Sequence, residues 1–420
     1  MSDHPMPEPL TVQEAIRILD EVPVVPRRVN IPIDRSGGLR LAGDLAADRD
    51  YPPFEKSLMD GYAVRCADII EGQAELRVVG EIPAGNWPGN GIGPGETMAI
   101  MTGAPLPPGA DGVTPIEDVE ARAAIGRSVR IIRASRPQRY VAARGSDCRA
   151  GAVVLRRGVV MGPAQIAVAA SIGAANISCF ARPRVAVLGT GDELVSVDRI
   201  PGPSQIRDSN THMLVALLGQ LGCEVAEVGN VRDDRESIRQ AIRRGMKHDA
   251  LFITGGMSMG EYDFVPGLLA ELGVDVKITK LRIKPGKPFM FGVSPRPDRE
   301  GNGGFVFGLP GNPVSAFICT LRLASRLLAR LSGVLPVERW ITGRLSSCLP
   351  ANGPREFYQP ANIAVAPGRS SATNELATIT PLAWKGSADI FTLAQANSLL
   401  VRAENEPALD QGTIVRALEM

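Results

Sequence analysis

The sequence predicts a multidomain α/β protein. Its largest part is a doubly wound parallel sheet, accompanied by a β-rich inserted module, a small helical/β linker domain and an all-β C-terminal domain. Three observations carry this. From Arg184 to Leu331, short apolar runs alternate with amphipathic stretches of helical length, the pattern of βα units. From Tyr51 to about Pro137, brief β-like runs alternate with Gly/Pro turns such as PAGNWPGNGIGPG, as in a β-rich module. From Arg339 to Met420 the texture is short strands alone. A length of 420 residues suits two to four domains at roughly 150 residues each.

The elements follow in chain order. The opening MSDHPMPEPL is polar and Pro-rich, without a signal-peptide core. Thr11–Glu21 is a short helix, with Thr11 and Glu14 in capping-box spacing. The module's strands are expected at Glu75–Val79, Thr97–Met101, Gly112–Ile116 and Val129–Ile132. The most apolar stretch, Gly158 to Phe180, is broken by Gly162, Pro163, Gln165, Gly173 and Asn176. It reads as a buried helix with turns at both ends, not as a membrane span. RVAVLG from Arg184 is a strand, and Ser209–Leu221 is a helix stopped by Gly222. CEVAEVG is a strand, followed by a helix over Asp233–Arg244 with Asp233 and Glu236 in capping-box spacing. DALFITGG is a strand, Phe264–Leu272 a helix stopped by Gly273, and VDVKITKLRI is strand-like. FVFGLPGNP runs into a helix over Val314–Leu331. No amphipathic helix is expected after Gly333.

Composition narrows the function. Apolar residues make up 44% and charged residues 22%, which excludes wholesale disorder. Lys+Arg 46 against Asp+Glu 45 leaves no bulk field to draw the chain to nucleic acid or an anionic membrane. The six cysteines are scattered singly; a zinc ribbon or disulfide scaffold is not expected, and a cytoplasmic setting fits. Ala121–Val160 holds ten Arg and one acid, Asp147. It reads as a solvated face, with an anionic-ligand surface as the sharper alternative.

In doubly wound sheets, ligands sit beyond the carboxyl ends of the strands, so the loops there are informative. GTGDEL fails the dinucleotide pattern because Leu194 stands where the third Gly is needed. It presents Gly191, Asp192 and Glu193 on a tight turn. VRDD offers Asp233 and Asp234, with helix capping as the bland reading. TGGMSMGEYD has nucleophile-elbow spacing around Ser258. His4, His212 and His248 all precede it, which excludes a Ser-His-Asp hydrolase. Gly255 and Gly256 instead let backbone N–H groups approach an anion, with Asp263 just beyond. The seven Lys include four between Lys277 and Lys287. In a chain that prefers Arg, this points to compact charges, and Lys280 and Lys284 share a face if the strand extends that far. LPGNPVS places Pro310 and Gly311 before an N-cap Asn312, aiming helix N–H groups at the strand ends. Carboxylates beside Lys and backbone donors suit a hard cation, with Mg²⁺ the usual choice, bridging protein to substrate phosphate.

These segments, with SLMDGYAVR (Ser57 to Arg65), IMTGAPLPPGAD (Ile100 to Asp111) and IRDSN (Ile206 to Asn210), make the chain resemble the MoeA family of molybdopterin molybdenumtransferases, which includes the E domain of gephyrin. The resemblance spans nearly the whole chain. It implies a four-part homodimer: a discontinuous linker domain over 1–46 and 138–180, a β-rich module over 47–137, a doubly wound molybdopterin-binding domain over 181–333, and a β domain over 334–420. It implies that adenylylated molybdopterin is cleaved to release AMP while molybdate is ligated by the dithiolene sulfurs. By motif matching, Asp60 and Thr102 enter from the partner subunit. Glu193, Asp233 and Asp263 hold Mg²⁺ and the pyrophosphate end. Lys280 and Lys284 face phosphate or molybdate, and Ser387 in KGSAD lies near the cleft. The bland readings are a turn at Asp60–Gly61, a β-turn at Thr102 and a structural loop at Ser387. The implied protein partners are the molybdopterin adenylyltransferase and molybdoenzyme apoproteins. The chain departs from the family pattern at Glu55, commonly Asp. It departs also at Gln359, often Arg, which turns attention to Arg355 and leaves the choice between molybdate and tungstate open. Competing readings are the adenylylation step itself and a non-catalytic cofactor-binding scaffold.

Overall fold

The computed structural model describes residues 8–133, 135–256, 264–297, 303–364 and 376–420. Ser258 and Asp263 lie outside these residues. The chain forms two compact bodies, one of Asn30–Cys179 and the other of Phe180–Met420 with the segment up to Val29.

The second body is built on one sheet. Its strands are β1 (Arg184–Thr190), β2 (Glu224–Val231), β3 (Ala250–Thr254), β4 (Asp275–Ile278), β5 (Met290–Pro297) and β6 (Gly303–Leu309), in the order β2-β1-β3-β6-β5-β4. The first four run parallel. Strand β5, absent from the sequence reading, turns back antiparallel to β6, and β4 is antiparallel to β5. The sheet is therefore mixed at one edge. Alternate residues feed two cores, as strand geometry requires. Val187, Phe252 and Phe307 pack with Leu19, Leu214 and Ile318 on one face. Leu188, Leu251 and Ile253 pack with Ile238, Ile242 and Leu268 on the other. Phe252 and Phe307 stack with centroids 4.9 Å apart, an arrangement worth about 0.5–1.5 kcal/mol beyond the area it buries.

The helices are α1 (Val12–Glu21), α2 (Asn210–Gln220), α3 (Arg235–Gly245) and α4 (Val265–Glu271). A last helix starts at Pro313 and reaches Leu331 through a π-helical turn at Thr320–Ala324. Thr11 and Glu14 form the expected capping box. At α3 the cap is Asp234, not Asp233: its carboxylate accepts from the Ser237 amide at 2.9 Å. The Ser237 hydroxyl first, and then this amide, hold the Asp234 carboxyl below the usual carboxylate range, and the cap leaves Asp233 outside it.

VDVKITKLRI is not one strand. β4 ends at Ile278, Leu281 bridges to Leu10, and Ile283–Lys284 pairs with Glu356 and Phe357 in the C-terminal sheet. Lys280 and Lys284 therefore do not share a strand face, because the chain leaves one sheet for another between them. That C-terminal sheet is a closed ring. Glu356–Ala364 pairs with both Ala377–Pro381 and Ser398–Arg402, and Trp340–Leu345 and Ile414–Glu419 complete the circuit. A one-turn helix, Ile390–Leu393, interrupts it, too short to show helical periodicity in the sequence.

In the other body, strands run in the order Gly112–Pro115, Gly61–Val64, Glu96–Ile100, Ala74–Ile82, Ser128–Ile131. A bridge from Val119 to Ile131 brings the two edges together. The apolar stretch near its end is helical only over Pro163–Ser171, where just Ala169 is buried. Gly173, at φ +74°, stops it, and Asn176–Phe180 is a strand. Among the described residues no helix is long and apolar enough to cross a membrane.

Candidate active site

The parallel register brings four strand ends level: Thr190 pairs with Val231, Gly189 with Thr254, and Thr254 with Leu309. The loops that follow meet there because they are built of small residues. A Cβ on Gly255, at φ +91°, would lie 2.2 Å from the Thr190 carbonyl oxygen, so the backbones of two loops touch only because glycine stands there.

The acidic loops adjoin. The Asp233 amide donates to Asp192 Oδ1 at 3.3 Å. The Glu193 carboxylate folds over Gly191, where a Cβ would lie 2.6 Å from Oε2. Asp192 and Glu193 are exposed and Asp233 is half-buried. A hollow of about 520 Å³ opens beside them, lined by Gly191, Asp192, Arg199, Gln205 and Arg232 among others. Asp208, 3% exposed, is the hub beneath. It accepts from the Thr211 amide at 3.0 Å and from the Asn230 amide nitrogen at 2.8 Å.

A second hollow, of about 300 Å³, lies where the loop after β6 meets the C-terminal ring. Lys284, Lys287, Asn312, Ser315, Arg355 and Ser387 line it. Asn312 occupies the N-cap position, but its side chain does not cap the helix. Its amide nitrogen donates to Ser387 Oγ at 2.9 Å. The Val314 amide donates to the Ser387 carbonyl at 3.1 Å, so this first-turn N–H is not offered to a ligand as the sequence reading expected. Asp389 accepts from the amides of Lys385 and Thr392, fixing the loop that carries Ser387. Those donors, the Lys385 amide first, hold its carboxyl below the ordinary range. Lys284 Nζ sits 4.5 Å from the centroid of the Phe357 ring, which stacks on Trp384 at 5.7 Å. Three cations around hydroxyl and amide donors suit a small, multiply charged oxyanion.

Lys280 does not line this hollow; it is half-buried, and its carbonyl accepts from the Leu10 amide at 3.1 Å. Gln359 does not line it either, its amide donating to the Leu382 carbonyl at 3.0 Å. Arg355 supplies the guanidinium there instead. Lys287, Ser315 and Trp384 were not singled out from the sequence. The Lys cluster and LPGNPVS carried a signal for the first two; nothing local marks Trp384.

In the other body, Asp60 Oδ1 accepts from both the amide and the hydroxyl of Thr102, each at 2.7 Å. These bonds, the amide first, hold the Asp60 carboxyl below its usual range. Gly61 is required by close packing, since a Cβ there would lie 2.0 Å from the Thr114 carbonyl oxygen. Asp60 thus braces the Thr102 turn rather than simply forming a turn with Gly61.

A hard divalent cation fits the acidic side. Its donors are carboxylate oxygens, and the Thr190 hydroxyl, buried at the adjoining strand end, has no hydrogen-bond partner among the described residues. Among those residues no three His, Cys, Asp or Glu side chains converge to hold an ion alone.

A doubly wound sheet with carboxylate-bearing loops at two strand ends and a hollow lined by Lys284, Lys287 and Arg355 at another has the chemistry that phosphorylated and oxyanionic ligands require. Comparison narrows the class. Residues 10–173 match the family model described as MoeA N-terminal region (domain I and II), and residues 186–330 match a probable molybdopterin binding domain. A molybdopterin molybdenumtransferase of Nostoc sp. is 31% identical over 394 residues, covering 92% of this chain and 87% of its own. One of Haemophilus influenzae is 34% identical over 331 residues, covering 77% and 78%. The solved structure of a molybdopterin biosynthesis MoeA protein from Pyrococcus horikosii superposes with a TM-score of 0.81 at 29% identity, over 98% of this chain and 99% of that one. The chain belongs to the molybdopterin molybdenumtransferase family, and so to molybdenum cofactor biosynthesis.

Proposed function

We propose that this chain binds adenylylated molybdopterin, releases AMP in an Mg²⁺-dependent cleavage of its phosphoanhydride, and passes molybdate to the dithiolene sulfurs. The observation that carries this reading is the cationic hollow lined by Lys284, Lys287 and Arg355 at the loop after β6, in the same sheet whose strand-end loops bear Asp192, Glu193 and Asp233.

On this reading each group has a task. Lys284, Lys287 and Arg355 offset the charge of molybdate, a tetrahedral dianion. Ser387, oriented by Asn312, and Ser315 supply hydroxyl donors. Asp192, Glu193 and Asp233 hold Mg²⁺, and the motif match assigns Asp263 to the same ion. When bound, Mg²⁺ neutralises charge on the bridging and leaving oxygens of the anhydride. Gly255 and Gly256 let the backbone approach the phosphate. Pro310 and Gly311 shape the wall opposite. Asp60 and Thr102 act as a pair in a homodimer. The enzyme works in the cytoplasm between a molybdopterin adenylyltransferase and the apoproteins that take the finished cofactor.

The test is direct. Purified chain given adenylylated molybdopterin, Mg²⁺ and molybdate should release AMP, and omission of Mg²⁺ should suppress the release. No release above the uncatalysed rate would end the proposal.

A further inference from the structure

The IRDSN segment has a role that the proposed chemistry leaves unused. Asn210 opens α2, and its amide nitrogen donates twice: to the Gly311 carbonyl at 2.6 Å and to Thr254 Oγ1 at 3.0 Å. Thr254 Oγ1 in turn donates to the Pro310 carbonyl at 3.4 Å. One side chain therefore ties the end of β3 to the loop after β6. The bond to Gly311 also fixes the orientation of the amide, since a carbonyl only accepts. Asn210 Oδ1 must then face away, and it is buried with no hydrogen-bond partner among the described residues. The Thr190 hydroxyl, on a residue 2% exposed, is unpartnered as well. It lies under the same turn, 2.9 Å from where a Cβ on Gly256 would stand. Leaving a buried acceptor unmade costs free energy, and such groups in native sites usually await a ligand or water.

We propose that Asn210 is a specificity-determining residue whose Oδ1 accepts an N–H from the heteroaromatic ring of the substrate. The inference rests on the proposed function, which supplies a substrate with two amino-bearing rings. Molybdate and phosphate ester oxygens offer no donor, so neither satisfies this acceptor. The shared chemistry is a ring amino group, and both the purine and the pterin carry one.

Calorimetric titration of the full chain tests this and separates the two sources. One arm compares AMP with purine riboside monophosphate, which lacks the amino group. The other compares 6-hydroxymethylpterin with its 2-dimethylamino counterpart. In one arm, loss of the donor should weaken binding to the wild type about tenfold, the equivalent of one buried hydrogen bond. In Asn210→Leu the same comparison should show no difference. Asn210→Gln keeps both the amide donor and an acceptor and should retain part of the discrimination, and a far-UV circular dichroism spectrum matching the wild type guards against a misfolded Leu variant. Equal losses in wild type and Asn210→Leu in both arms would overturn the assignment while leaving the proposed function standing. Failure of the wild type to bind either AMP or the pterin would overturn both.

Discussion

Asn312 holds Ser387 across a 2.9 Å hydrogen bond, joining the loop after β6 to the C-terminal ring. The Val314 amide seizes the carbonyl of the same serine at 3.1 Å. One wall of the cationic hollow is thus made by two parts of the chain some 75 residues apart in sequence. Ser387→Ala removes one neutral hydrogen bond, worth roughly 1 kcal/mol. The half-saturating molybdate concentration should rise several-fold, with the backbone anchor and the thermal midpoint nearly unchanged. No change in molybdate dependence would remove Ser387 from the site.

Lys284 is exposed but positioned by the face of Phe357. Lys284→Ala and Arg355→Ala should each weaken molybdate binding by about tenfold or more, the scale of a charge-assisted hydrogen bond. Because Trp384 lines the hollow, its fluorescence should change on titration with molybdate. Trp384→Phe should abolish that signal while leaving binding measurable by calorimetry.

The neighbouring acids Asp233 and Asp234 should separate cleanly. Asp234→Ala removes a helix cap and should cost about 1 kcal/mol of stability, seen in denaturant unfolding, with AMP release largely kept at low temperature. Asp233→Ala should do the reverse, abolishing AMP release with little change in the unfolding midpoint. The opposite pattern would mean that the roles are exchanged.

The Asp60–Thr102 pair gives a pH prediction. The Thr102 donors lower the carboxyl's folded-state pKa, so they stabilise the ionised form. That contribution is fully present above the unfolded-state pKa and is lost as pH falls through the lower folded-state value. Thr102→Val deletes the hydroxyl donor and keeps the amide. The Asp60 carboxyl should then titrate at higher pH than in the wild type, which NMR titration of the side-chain carboxyl carbon reads directly. An unmoved titration would show that the hydroxyl bond is not made in solution.

Much of this architecture was legible where local chemistry decides it. Thr11 and Glu14 announced their capping box, and the Gly- and Pro-marked strand ends announced the loops at Gly191, Gly255 and Pro310. The errors arose where a distant partner decides. Lys280 and Lys284 looked like one strand face because nothing local reveals that Leu281 bridges to Leu10 while Lys284 joins the C-terminal ring. Asp233 and Asp234 both suit a cap, and backbone geometry chose the second. Strand β5, FGVSPRP in part, is interrupted by prolines that mask its period. Asn312 was read as a cap because the alternative, Ser387, is far along the chain. The hollow itself needs Arg355 and Trp384 delivered by the C-terminal ring, a convergence that no local pattern encodes.

The central claim is that an oxyanion settles in that hollow. Crystals of the full chain soaked in molybdate, with diffraction recorded at the molybdenum absorption edge, test it most directly. An anomalous peak within hydrogen-bonding reach of Lys284, Arg355 and Ser387 is the predicted result. A peak elsewhere, or none at a concentration that saturates AMP release, would contradict it.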